Sequence, residues 1–334
     1  MRTALLLIAL AAASSPALSQ APAPAPGNVK AVPAGPPVKV DLGPGASRDW
    51  PPAFDVTKPE KTPLSPGMYV FRFPVAGIPR TWGVYVPRRF NPEGGPPLGA
   101  VVVLHDTGSS GKDFLALGKW REAAEQRPFV IIAPDAAPDA SGKPGAFTKS
   151  DSPANVDELA RHNVMLVRRI FELLGTRGNV DPNKLYVAGH GTGGRMAAIL
   201  GFELSGMVAG VGSVGGPISV DAKLPHPVAL ALVHGRKDTV FPLSGGKTPV
   251  EPLWRDWAGQ LGCSTKIATF PGIPGLLAQS ATDCVSGSEA ALFVVDDTGH
   301  GWPTTFDTAG TILDLFLRRP LLPRAPHKGV ITFK

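Results

Sequence analysis

A short glycine-rich segment places the tightest limit on how this chain can fold. It reads Gly189-His190-Gly191-Thr192-Gly193-Gly194, after an apolar run that ends at Ala188 and before a helical stretch over 195–203. Glycines let a strand and a helix approach closely around a residue with an unfavourable backbone conformation. The segment therefore predicts a strand, a sharp turn and a helix in direct succession.

Strands that alternate with helices recur along the rest of the chain. Residues 100–104 are apolar without a break, which is typical of a parallel strand buried on both faces. A hairpin is predicted from runs at 68–73 and 81–86. Further strands are predicted at 129–133, 207–214, 228–233 and 291–295, and helices at 113–126, 156–174, 253–260 and 307–317. This pattern predicts one α/β domain, a mostly parallel, doubly wound sheet with helices on both faces.

The N-terminal part of the sequence differs from the rest in composition. Residues 1–20 hold one early charge, Arg2, then an apolar run and small residues, as in a cleaved signal peptide. Residues 21–66 are rich in proline and lack an apolar period, so we expect a disordered linker before a domain over 67–334. We expect an exported protein, periplasmic or extracellular, without integral membrane association, because no later segment approaches the roughly 18 apolar residues of a membrane span.

Charge, cysteines and histidines narrow the function classes. The net charge of +6 comes from scattered basic residues, which disfavours a nucleic-acid partner. In an oxidising compartment Cys263 and Cys284 predict a disulfide, with two free buried thiols as the alternative. The histidines lack metal-ligand spacing, so we expect no metal and no cofactor.

The glycine-rich segment has the frame of a G-x-S-x-G nucleophile elbow, but Gly191 stands where that motif has serine. In that motif's order an acid and then a histidine follow, each after a strand. Asp238 follows the run 228–233 and His300 follows the run 291–295. The carboxylate would orient the imidazole toward the nucleophile position. We therefore predict a catalytic set of Asp238, His300 and the seat at Gly191, with the hydroxyl missing.

The chain resembles the secreted esterases that include short-chain polyhydroxybutyrate depolymerases and feruloyl and acetylxylan esterases, which have the α/β-hydrolase fold. The matching segments are 82–87, 101–111, 180–182, 186–194, 233–242, 299–303 and the two cysteines. The resemblance implies an oxyanion hole formed by Thr107 and Thr192. It also implies a pocket for a small-molecule or oligomeric ester, with Asp106, Ser109, Phe241 and Trp302 as pocket residues and Phe147 near its mouth. For the three aromatic side chains, packing in the core is the alternative.

This sequence departs from the family pattern at three places. Gly191 replaces the nucleophilic serine, Asp106 replaces the glycine of the family's Leu-His-Gly, and His162-Asn163 replaces an acidic pair. A carboxylate at position 106 would repel a developing oxyanion unless it pointed away or was protonated. We therefore expect a protein that is inactive or severely impaired as a serine esterase.

Several alternatives stay open at this point. Thr192 or Ser109 could act as a displaced nucleophile, although Thr192 is expected to be a helix N-cap and Ser109 a turn residue. His300 could activate a water lodged over Gly191, with Asp106 assisting. A non-catalytic protein that binds an ester or oligomer, or a structural relic, would also fit.

Overall fold

The computed structural model describes residues 54–55, 63–150, 152–219, 221–245, 249–270 and 272–321. Within these residues an 11-stranded sheet has the order β1-β2-β3-β5-β4-β6-β7-β8-β11-β10-β9. The strands are β1 Phe54–Asp55, β2 Gly67–Val75, β3 Ile78–Val86, β4 Leu98–Leu104, β5 Phe129–Pro134, β6 Val180–His190, β7 Val208–Val214, β8 Ala229–Gly235, β9 Ile267–Phe270, β10 Leu276–Ala281 and β11 Ala290–Val295. The helices are α1 Gly111–Leu117, α2 Trp120–Gln126, α3 Glu158–Thr176, α4 Thr192–Glu203, α5 Val250–Gln260 and α6 Thr308–Leu317.

The centre of the sheet is parallel, from β5 through β4, β6, β7 and β8 to β11. Every residue of β4 is buried, as the unbroken apolar run predicts. Alternate side chains of β4 enter two cores, with Val102 packing on the side of α3, α4 and α5, and Val103 on the side of α1, α2 and α6. The predicted α/β architecture, a mostly parallel sheet with helices on both faces, is confirmed.

Three local features differ from the sequence-based expectation. The stretch predicted as one helix over 113–126 is two helices, because Lys119 has a left-handed φ of 52° and turns the chain between α1 and α2. The antiparallel strands β9 and β10 were not predicted, since their residues alternate little and are half exposed. The packed structure also begins ahead of the expected boundary at Gly67: Leu64 is buried, and its N–H donates to Asn179 Oδ1.

A disulfide joins Cys263 to Cys284, as predicted. The two cysteines flank β9 and β10 in sequence, so the bond closes the segment that contains both strands. The expected signal peptide and most of the expected linker lie outside the described residues. Across the described part of the chain, no helix has the length and apolar character needed to cross a membrane.

Candidate active site

The glycine-rich segment forms a sharp turn between β6 and α4. Gly191 lies at the turn with φ 53° and ψ −117°, a conformation that side-chain-bearing residues rarely adopt. Its N–H donates to Val214 O, and its carbonyl accepts from the N–H of Arg195. The neighbouring glycines are needed for close packing, because a Cβ on Gly189 would lie 2.3 Å from the carbonyl carbon of Gly193. The strand, turn and helix expected of a nucleophile elbow are therefore present.

Asp238 and His300 meet beside this turn. Asp238 follows β8, His300 follows β11, and His300 Nδ1 lies 3.0 Å from Asp238 Oδ2. The other oxygen of Asp238 accepts from the N–H groups of Val240 and Phe241, at 2.8 and 2.9 Å. The side chain of Asp238 is fully buried and that of His300 is 29% exposed. The structure thus brings together a carboxylate with a fixed orientation and an imidazole that solvent can reach.

Two further histidines support this pair, and the sequence analysis gave them no role. Burial lowers the pKa of His190 and of His234, so both imidazoles are neutral at neutral pH. His190 Nε2 lies 2.9 Å from the carbonyl oxygen of His300, and His234 Nε2 lies 2.6 Å from that of Phe241. A neutral imidazole whose Nε2–H donates to such a carbonyl fixes the backbone at His300 in one case and at Phe241 in the other. In the sequence, the only sign of this role is that each of the two histidines stands at the end of a predicted strand.

The carboxylate of Asp106 occupies the predicted oxyanion hole. Its Oδ1 accepts from the N–H of Thr107 and the N–H of Thr192, both at 2.8 Å. It also accepts from the Thr192 hydroxyl at 2.8 Å. The two backbone donors expected to hold a substrate oxygen thus already bind an oxygen of the chain itself.

The same carboxylate fills the space beside Gly191. A Cβ built on Gly191 would lie 2.4 Å from both Cγ and Oδ2 of Asp106. Real Cβ atoms do not approach other atoms this closely, so a serine at 191 requires the carboxylate to move. Oδ2 also lies 4.0 Å from His300 Nε2. Gly191 and Asp106 are therefore complementary to each other within the site.

Asp106 is ionised at neutral pH. Burial alone would raise the pKa of its carboxyl group, but the hydrogen bonds from Thr192 and Thr107 outweigh that effect, so the pKa is lowered. The carboxylate therefore neither points away from the hole nor is protonated in it. The hydrogen bonds place this side chain inward, and the lowered pKa indicates its charged form.

This geometry corrects two sequence-based assignments, the N-cap role of Thr192 and the water over Gly191, and agrees with the expected turn position of Ser109. The N-cap of α4 is Gly191, and Thr192 is the first residue of the helix, with its side chain bound to Asp106 instead. A water lodged directly over Gly191 does not fit, because the carboxylate fills that space. Ser109 lies in a turn, with its N–H donating to Asp106 O, and the neighbouring Ser110 caps α1.

The aromatic side chains predicted at the pocket have different surroundings. Phe241 is partly exposed, with its ring centroid 5.6 Å from that of His300 and the Arg195 guanidinium 4.8 Å above it. Trp302 is only 9% exposed and packs against Phe114 and Trp120, so it forms part of the core under the site. Phe147, expected near the pocket mouth, is fully buried against His105.

The remaining departure from the family pattern has a structural role. Asn163 is buried within α3, where its amide donates to the carbonyls of Phe147 and Leu159. Its Oδ1 accepts from the guanidinium of Arg80 at 2.7 Å. Asn163 therefore ties α3 to the segment that carries Phe147. No group of three His, Cys, Asp or Glu side chains suited to a metal ion occurs among the residues that the structure describes.

Comparison with known proteins identifies relatives with esterase names. No family model matches the chain. The chain is 24% identical over 242 residues to "Putative esterase NocK" of Nocardia uniformis subsp. tsuyamanensis, covering 64% of this chain and 67% of that protein. It is 22% identical over 155 residues to feruloyl esterase B of Piromyces equi, covering 41% of this chain but only 28% of that protein.

A solved structure of an esterase shows what fold the chain has. Acetyl xylan esterase from Aspergillus awamori superposes with a TM-score of 0.51 at 17% identity, covering 71% of this chain and 94% of that one. At this identity the likeness shows the fold alone. The chain thus has the α/β-hydrolase fold, and the two proteins that it resembles in sequence carry esterase names.

Proposed function

We propose that this chain is an exported α/β-hydrolase-fold protein that does not hydrolyse carboxylic esters through a serine acyl-enzyme. The observation that carries the proposal is the Asp106 carboxylate, which occupies the two oxyanion donors and the space beside Gly191. The frame of an esterase site is retained, but neither its nucleophile nor a vacant oxyanion hole is available.

Acyl transfer of the serine-esterase kind needs both a nucleophile at the elbow and a vacant oxyanion hole. Loss of a triad nucleophile lowers turnover on the order of a millionfold. Loss of one oxyanion donor costs a further factor of about 10²–10³. A charged carboxylate at that position also repels the negative charge that develops on the carbonyl oxygen. The N–H groups of Thr107 and Thr192 already donate to Asp106 Oδ1, so they do not donate to the carbonyl of a bound ester.

A set of variants tests this proposal directly. The unaltered protein is expected to release no p-nitrophenol from p-nitrophenyl acetate above buffer and to escape labelling by a fluorophosphonate. Gly191→Ser alone is expected to stay inactive because Asp106 blocks the new side chain. The double variant Asp106→Gly/Gly191→Ser frees the hole and supplies the hydroxyl, so we expect a gain of at least about a hundredfold and fluorophosphonate labelling at position 191.

The matched control is Asp106→Gly/Gly191→Ala, which carries the same new Cβ without the hydroxyl and is expected to remain inactive. Fluorophosphonate labelling of the unaltered protein at Thr192 or Ser109 would contradict the proposal. So would a Gly191→Ser single variant as active as the double variant, because the carboxylate would then be no obstacle.

Export is part of the proposal and has its own test. The N-terminal composition and the disulfide support it. Expression of the full chain in a Gram-negative host, followed by N-terminal sequencing of the periplasmic and medium fractions, is expected to show a start near residue 21. An uncleaved chain in the cytoplasm with reduced cysteines would overturn it.

A further inference from the structure

The two oxygens of the Asp106 carboxylate have different surroundings. Oδ1 accepts three hydrogen bonds, from the N–H groups of Thr107 and Thr192 and from the Thr192 hydroxyl. Oδ2 accepts none from the residues that the structure describes, and it lies 4.0 Å from His300 Nε2. The Asp106 side chain is 27% exposed. One oxygen is therefore held in place, while the other has lone pairs that no hydrogen bond from the described residues uses, on a side chain that is partly exposed.

We propose that Asp106 is itself a nucleophile, and that the site hydrolyses small alkyl electrophiles through a covalent ester on this side chain. Ionised carboxylates serve as nucleophiles in covalent catalysis when the partner carbon carries a leaving group. Here the carboxylate is placed beside an imidazole whose orientation is fixed by Asp238. The nucleophile has in effect moved from the elbow to the neighbouring loop.

The first step is a displacement at a saturated carbon. Oδ2 donates an electron pair to the carbon, the bond from that carbon to its leaving group breaks, and the leaving group departs with the bonding pair. An alkyl halide gives an alkyl ester of Asp106 and a free halide ion. An epoxide gives a hydroxyalkyl ester of Asp106, because the ring oxygen stays bonded to the neighbouring carbon and takes a proton from water. No oxidant or reductant is required.

The second step is hydrolysis of that ester by water. His300 Nε2 accepts a proton while the water oxygen bonds to Cγ of Asp106, and negative charge develops on Oδ1. This oxygen already lies in the donor set of Thr107 and Thr192, where such charge is stabilised. The tetrahedral intermediate collapses, the bond from Cγ to the alkoxy oxygen breaks, and His300 returns the proton to the departing alcohol. The regenerated carboxyl group of Asp106 then loses its remaining proton to solvent and is a carboxylate again.

The surroundings of His300 suit this substrate class. Phe241 offers a partly exposed apolar ring 5.6 Å from the imidazole, and the Arg195 guanidinium lies over the same ring. Arg195 Nε is buried without a hydrogen-bond partner among the described residues. An apolar face beside a cation fits an alkyl group whose leaving group departs as an anion. A carboxylic ester fits less well, because carboxylate attack on its acyl carbon would give a high-energy anhydride.

The test uses the full mature chain with two probes, 1-bromobutane and styrene oxide, followed by intact-mass analysis and peptide mapping. The unaltered protein is expected to release bromide and diol over several turnovers and, in H₂¹⁸O, to incorporate ¹⁸O into Asp106. His300→Gln removes the base for the second step, so we expect it to accumulate one alkyl group on Asp106. Asp106→Asn, which keeps an oxygen for the oxyanion donors, is expected to form no adduct and no product.

The chain contains a matched internal control for the mapping. Asp139 Oδ1 also accepts three hydrogen bonds, from Ser141 N, Ser141 Oγ and Lys143 N, and Asp139 is exposed. Hydrogen bonding and exposure alone would therefore alkylate Asp139 as fast as Asp106. Equal alkylation at the two positions, or no Asp106 adduct in His300→Gln with either probe, would overturn the inference. These readouts are independent of the esterase assay, which tests only the proposed function.

Discussion

At the scale of single residues, positions 106 and 191 behave as one unit. The carboxylate of Asp106 occupies the volume that any side chain at 191 would need. The present position of the carboxylate therefore requires glycine at 191, and a side chain at 191 requires the carboxylate to move. The charge at 106 is retained because donors from the loop after β4 and from the first residue of α4 converge on one oxygen. A change at either position alone therefore disturbs an arrangement that the pair together maintains.

This coupling is measurable as stability. Gly191→Ser is expected to cost about 1–3 kcal/mol for its backbone conformation and a similar amount for displacing the carboxylate. In the Asp106→Gly background the second cost disappears. Chemical denaturation of the two single variants and the double variant is expected to give a coupling energy of at least about 1 kcal/mol. Simple additivity of the two single effects would contradict the mutual exclusion of these side chains.

At the scale of elements, the N-terminus of α3 depends on one carboxylate. Asp157 caps the helix by accepting from Ala160 N, and its other oxygen accepts from the N–H groups of Lys149 and Ser150 and from the Thr148 hydroxyl. The cap thus also organises the loop before the helix. Burial raises the pKa of Asp157, but these hydrogen bonds outweigh it, and the pKa is lowered.

The sign of the resulting pH dependence follows from the lowered pKa. Stability from Asp157 is fully present above its unfolded-state pKa of 3.8 and is lost as the pH falls through the folded-state pKa. Asp157→Ala is expected to cost about 1–2 kcal/mol at pH 7 and to weaken the loss of stability in acid. Urea titrations at pH 7 and pH 3 measure both effects. Asp157→Asn, which keeps a capping oxygen, is the control and is expected to lose less at pH 7. Equal losses from the two variants would indicate that the charge and the second carboxylate oxygen matter more than the cap.

At the scale of the whole molecule, one edge of the sheet is held by a covalent bond. The antiparallel pair β9 and β10 extends the parallel centre beyond β11, and its residues are less buried than those of the central strands. The disulfide between Cys263 and Cys284 spans 21 residues that include both strands. We therefore expect the disulfide to contribute more than side-chain packing to the stability of β9 and β10.

Removal of the bond tests that view. The variant Cys263→Ser/Cys284→Ser is expected to lose about 3 kcal/mol, which is the loop-closure entropy of a segment of this length. Hydrogen exchange is expected to rise first in β9 and β10 and to change little in β4. An unchanged unfolding midpoint, or exchange that rises equally across the sheet, would show that the edge does not depend on the disulfide.

Much of the fold could be predicted from local pattern. Unbroken apolar runs identify the buried strands, because a strand covered on both faces has no polar side. The helices 111–126 were misjudged as continuous because a left-handed residue such as Lys119 leaves no mark in the hydrophobic period. The strands β9 and β10 were missed because half-exposed residues carry little alternation.

The sequence by itself determined that glycine stands at the turn between β6 and α4 and that an aspartate and a histidine follow in order, since these depend on residue identity and chain position. Only the tertiary structure decided where the Asp106 carboxylate lies. That outcome depends on donors at Thr107 and Thr192, which are 85 residues apart in the chain and meet where β4 and β6 end side by side. A side chain's direction is set by whichever partners the fold brings within hydrogen-bond distance, and a linear sequence does not contain that information.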